Sequence, residues 1–240
     1  MPQVDALREP WKVVLLVHGE TRRQVEQTYT QLQQLGFESV HVASSSDVTI
    51  NKRHDTIVQQ DKTWKSEYYL YRDMIKIMSS AYASQCDMFM FVRAGSFLWE
   101  QLPVYCETTI PKDSVGVWNP FTPNRVFPDE QRQRPECTGN FGWCRHPINS
   151  SLAAYHCFVV RNHTLTLMAA YMDDEPELGG NFGGSLALAL NRYEVPMYFH
   201  LPSLVVYSSE FLLADDFVGV SHHMNQSDMR VCNYIYKADV

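Results

Sequence analysis

Between Lys12 and His18 the chain reads KVVLLVH, an apolar run of the kind expected in a strand covered on both faces. After the loop Gly19-Glu20-Thr21, the positions Val25, Thr28, Tyr29, Leu32 and Leu35 recur at helical spacing, and Gly36 stands where a helix would stop. Glu38–Ala43 (ESVHVA) predicts a second strand, so the chain opens with a strand–helix–strand unit. A polar stretch from Asp47 to Thr63 follows. Tyr68, Tyr71, Ile75, Met78 and Tyr82 then step by three or four along one helical face. Asp87–Val92 (DMFMFV) predicts another buried strand, Phe97–Thr108 a helix, and Ser114–Trp118 (SVGVW) a further strand. Strands alternating with helices predict an α/β fold, with a Rossmann-like, mostly parallel sheet flanked by helices.

The rhythm breaks after Trp118. Asn119 to Ser150 holds five of the twelve prolines and little periodicity, which predicts a long irregular central loop. Structureless loops longer than about 12–15 residues are uncommon and are often lids or binding loops. Regular patterning resumes with a strand at Ala154–Val160, a short helix at Leu165–Met172, a helix at Gly184–Arg192 and a final strand at Val195–His200. These features predict a single domain over residues 1–240, with an insertion at 119–150 and a C-terminal tail, 208–240, packing on it.

Charge narrows the function. Twenty-seven acidic and twenty basic residues leave a formal charge of −7, and no block of like charges occurs. Nucleic-acid binding by counterion release calls for clustered Lys and Arg, so no nucleic-acid partner is expected. No apolar run approaches the ~20 residues that span a bilayer, so no membrane span is expected. The polar start MPQVDALREPWK predicts a cytoplasmic chain. On that reading the six cysteines are thiols, and the sequons at Asn149, Asn162 and Asn225 are accidents of composition.

Several common motifs are missing. No glycine fingerprint follows the first strand, where His18-Gly19-Glu20-Thr21 stands, and no phosphate-binding loop, H-E-x-x-H or G-x-S-x-G occurs. Cys137, Cys144, His146 and Cys157 lack the spacing of a zinc knuckle. The run Asp173-Asp174-Glu175-Pro176-Glu177 precedes a glycine-rich turn, Gly179–Gly183. It reads either as a solvated loop capping the next helix or as the source of a general base aimed at a cleft.

Together, the strand–helix–strand start, the buried strand ending in a short polar turn, the long central loop and the ending Pro196-Met197-Tyr198-Phe199-His200-Leu201-Pro202-Ser203-Leu204-Val205 resemble GT-A-fold glycosyltransferases. The resemblance runs from about Trp11 to Val206 and implies a nucleotide-sugar donor, UDP- or GDP-linked, and a hydroxyl-bearing acceptor. Relatives end the strand equivalent to DMFMFV in a metal-binding D-x-D motif. Here Val92-Arg93-Ala94-Gly95-Ser96 stands in its place, so no metal site of that type is expected. Arg93 is a permanent cation that can pair bidentately with phosphate, or with a structural carboxylate.

The resemblance implies donor-binding roles for His18, Thr21, Arg22, Asp47, Arg93 and Ser96, although Thr21, Arg22 and Asp47 serve equally as caps or loop polar groups. Where inverting relatives place an aspartate, this chain has Asn181 or Phe182, and an amide cannot take a proton. Asp174, Glu175 and Glu177 are therefore the candidate catalytic carboxylates. Trp118, Trp143, Gly180 and Asn181 are the candidates for sugar or acceptor contact, aromatic faces being suited to sugar rings. The competing expectation is a non-catalytic module of the same fold that binds a nucleotide, a glycan or a partner protein.

Overall fold

The structure is a computed structural model, and it describes residues 11–37, 39–48, 50, 56–121, 142–145, 156–174, 182–201 and 203–207. Its centre is an eight-stranded mixed sheet. The first strand, β1 (Trp11–Val17), is buried at every position, as its apolar run requires. It lies between β2 (Val40–Ser44) and β4 (Met88–Arg93) and is parallel to both, with β3 (Ile57–Gln60) beyond β2 at the edge. Past β4 the sheet continues through β8 (Cys157–Arg161), β6 (Val117–Asn119), β9 (Met197–Leu201) and β7 (Gly142–Arg145). β8 runs antiparallel to β4 and β6, and β7 antiparallel to β9, while β6 and β9 are parallel to each other. Thus β1, β2, β3, β4, β6 and β9 all end at one carboxyl edge.

Helices cover both faces. On one, α2 (Glu67–Tyr82), α4 (Asn162–Asp174) and α5 (Phe182–Arg192) pack together over stacked rings. Phe91 of β4 stacks on Phe158 of β8 at 4.8 Å, and Tyr71 of α2 stacks on Phe182 of α5 at 4.3 Å. On the other lie α1 (Arg22–Gln34) and α3 (Leu102–Thr109). Trp11 donates from Nε1 to Glu107 of α3, and Arg161 donates to the Ile110 carbonyl just after it. The first helix starts at a complete capping box between Thr21 and Gln24 and gives way to Gly36 at φ 90°, a left-handed turn that glycine enters without strain.

The structure departs from the sequence pattern where elements are short. The helix expected over Phe97–Thr108 divides into a strand, β5 (Ser96–Leu98), and α3. Pro103 is tolerated only in a helix's first turn, and α3 begins beside it. β5 pairs antiparallel with β10 (Val205–Tyr207), forming a second, two-stranded sheet. β3 falls inside the polar stretch, and β7 inside the region expected to be irregular. Both are edge strands of four residues, too short to carry a period. The C-terminal tail, 208–240, lies outside the described residues.

One expectation about cysteine is corrected. Cys86, Cys106 and Cys157 are free, but Cys144 is disulfide-bonded. Cysteine spacing does not reveal pairing, and the thiol reading follows from the expected compartment alone. Disulfides persist in oxidising surroundings and are rare in the cytosol. Among the described residues, no helix is long and apolar enough to cross a membrane.

Candidate site at the carboxyl edge between β1 and β4

In open α/β sheets, ligands bind outside the carboxyl ends of the strands, at the point where the strand order reverses. The order β3-β2-β1-β4 places that point between β1 and β4. β1 delivers His18 there, and β4 delivers Arg93. The turn after β4 is fixed by backbone: the Ala94 N–H donates to the Leu16 carbonyl, and the Gly95 N–H to Thr28 Oγ1. Gly95 sits at φ 90°, where a side chain would be strained.

Arg93 does not face open solvent. Its Nε donates to Glu20 Oε1 at 2.5 Å, and its Nη1 lies 2.6 Å from Glu67 Oε1. The Tyr207 ring lies 5.2 Å from the guanidinium, and the Tyr207 hydroxyl donates to Glu20 at 3.2 Å. Glu20 Oε2 also accepts from the His18 N–H at 2.6 Å. Burial disfavours the guanidinium's charge, but Glu20 first, then Tyr71, Glu67 and Tyr207, outweigh it and hold the Arg93 pKa above its ordinary value. Burial, reinforced by Glu20, raises the Tyr207 hydroxyl pKa although Arg93 opposes the shift. Tyr207 therefore stays a neutral donor.

His18 Nδ1 is 2.9 Å from Ser45 Oγ, and Ser44 Oγ donates to the Ser46 carbonyl. One bond ties α2 to α4. Tyr68, next to Glu67 on α2, donates from its hydroxyl to the Met172 carbonyl near the end of α4. That bond brings the C-terminal end of α4, where Asp174 is the last residue, to the start of α2 and so to the same edge.

The structure separates the residues that the sequence nominated. His18, Arg93 and Ser96 come together: Arg93 N–H and Ser96 Oγ both donate to the His156 carbonyl, and Ser96 is fully buried. Thr21 is spent as the cap of α1. Arg22 pairs with Glu26 and Asp47 with Lys62, the latter two at 79% side-chain exposure each. Trp118 and Trp143 do meet, at 5.2 Å, but on the α3 face of the sheet. Trp118 stacks on Tyr198 at 3.9 Å, and Trp143 donates to Thr109 of α3. Glu175, Glu177, Gly180 and Asn181 lie outside the described residues, as does the side chain of Asp174.

Sequence reasoning passed over Glu20, Glu67 and Tyr207. Glu20 stood in a turn and Glu67 began an amphipathic helix, and periodicity marks neither. The residues at this edge do not fit a divalent ion of the D-x-D kind. The two carboxylates are bridged by a guanidinium, and no group of three or more His, Cys, Asp or Glu residues suited to a metal occurs among the described residues.

No protein-family model matches this chain, and no curated protein matches it.

Proposed function

We propose that the chain is a glycosyltransferase that binds a nucleotide sugar at the carboxyl edge between β1 and β4 and transfers the sugar to a hydroxyl-bearing acceptor. The observation that carries this reading is convergence: His18, Arg93 and the C-terminal end of α4 reach one edge beside the strand-order reversal, and the sequence runs on from that helix end into a series of carboxylates. The sequence resemblance to GT-A glycosyltransferases covers the same elements. In this reading a carboxylate of Asp174, Glu175 or Glu177 accepts the acceptor's proton as its oxygen attacks the anomeric carbon. The nucleoside diphosphate leaves with the electron pair of the broken bond. In this reading the Ser45 hydroxyl and the His18 ring, 2.9 Å apart, supply hydrogen bonds to the donor. No step is routed through a metal.

A second reading has its own observation. The Arg93 guanidinium, the strand-end cation that the sequence offered to a diphosphate, is matched by two carboxylates. That favours a module that binds a nucleotide or glycan without transferring it. Turnover separates the two. Incubation with a panel of UDP- and GDP-sugars, with EDTA and with added Mn²⁺, is expected to release nucleoside diphosphate at equal rates in both conditions. Binding without release across the panel supports the module, and release that EDTA abolishes contradicts the metal-free reading.

A further inference from the structure

Glu20 and Glu67 flank the same guanidinium but are not equivalent. Glu20 is 2% exposed and both its oxygens are engaged: Oε1 takes Arg93 and Tyr207, and Oε2 takes the His18 N–H. Glu67 is 15% exposed and gives only Oε1 to Arg93. Its Oε2 has no partner among the described residues. Arg93, 16% exposed, uses only the N–H groups on Nε and Nη1 in these pairs, so donors remain beside that unused oxygen.

The two carboxylates and one guanidinium carry a formal charge of −1. A diphosphate brought against that set meets net repulsion. A hydroxyl does not: it can donate to Glu67 Oε2 while accepting from an Arg93 N–H, and a carboxylate can do nothing but accept. Building on the proposed nucleotide-sugar reading, we propose that Glu67, oriented by Arg93, recognises a hydroxyl of a sugar ring in the ligand, rather than its phosphates. Glu67 is then the contacting residue and specificity determinant. Arg93 both positions it and completes the hydrogen-bond pair, and Glu20 holds Arg93 in place. The ring is either the transferred sugar or the ribose, since both present hydroxyls of the same chemistry.

Calorimetric titration of the full chain tests this, with UDP-glucose, GDP-mannose, UDP and GDP as probes against wild type and Glu67→Gln. The amide keeps the shape but loses the charge, and the expected result is at least a tenfold weaker Kd for the probe that wild type binds. Loss for the nucleotide sugar alone assigns the hydroxyl to the transferred sugar, and equal loss for the nucleoside diphosphate assigns it to the ribose. Monodeoxy analogues of the probe make the test independent of the variant's stability. One of them is expected to bind wild type at least tenfold more weakly, and to lose no further affinity in Glu67→Gln. Unchanged affinity in Glu67→Gln, or no deoxy analogue that weakens binding to wild type, overturns the inference while leaving the glycosyltransferase reading intact. No binding of any probe to wild type overturns that reading, and this inference with it.

Discussion

The two clusters that the sequence nominated for ligand contact sit in contrasting places. Arg93 lies at a strand end, in the reversal between β1 and β4, with Glu20, Glu67 and Tyr207 around it. Trp118 and Trp143 lie on the sheet face beneath α3, where Tyr198, Tyr105 and His200 close round them. The His200 ring is fully buried, 2.8 Å from the Tyr105 hydroxyl, and the Trp118 ring is 5% exposed. Aromatic residues suit sugars and suit cores equally, and location decides between them. The permanent cation at the strand end, paired with two carboxylates, is the candidate site of the proposed function. Trp118 is part of the buried core, and Trp143 is partly buried against it.

Trp118→Ala should have the largest effect on stability, about 3–5 kcal/mol by urea denaturation, because it removes a stacked, buried indole. Ligand affinity should then be unchanged in whatever fraction remains folded. A stable Trp118→Ala protein that no longer binds nucleotide sugars would reverse the comparison. Arg93→Met comes next, at about 3 kcal/mol, since it strands the buried Glu20 carboxylate without its cation. Arg93→Lys should recover only part of that, because an ammonium cannot present the guanidinium fork to two carboxylates.

The aromatic region also has a pH signature. Burial, helped by Cys106 and opposed by a hydrogen bond with Thr109, pushes the Tyr105 pKa from 10.0 up to about 12. A group raised in this way keeps its proton when folded but loses it when unfolded. Stability should therefore be constant below about pH 10 and fall as pH rises from about 10 toward 12. Tyr105→Phe should flatten the fall, measured as urea midpoints across the range. The smallest effects belong to nominated residues that the structure gives ordinary work. Thr21→Ala should cost about 1 kcal/mol as a lost helix cap. Arg22→Ala, which breaks an exposed i,i+4 pair, should cost under about 0.5 kcal/mol, and neither should alter ligand affinity.

The long periodic elements were legible in the sequence because burial writes itself into spacing. β1 and β4 are buried on both faces and read as apolar runs, and the Tyr68–Tyr82 face of α2 reads at helical period. β3, β5, β7 and β10 were not legible: with three or four residues each, their pairing is set by partners distant in sequence, such as Ser96 with Tyr207. The reversal of β8 was equally hidden, since a buried strand has the same composition in either direction. At the site, Arg93 stood out as a departure from a family motif. Glu20 and Glu67 did not, because they reach Arg93 from positions 73 and 26 residues away, a proximity created only by the fold.

The most direct test of the central claim is a nitrogen-edited NMR titration of the chain with a nucleotide sugar, following backbone amides and tryptophan indoles together. The account predicts shifts concentrated at the amides of His18, Ser45, Glu67, Arg93 and Gly95, with the Trp118 and Trp143 indoles unmoved. Shifts centred on those two indoles, with the ends of β1 and β4 silent, would contradict it.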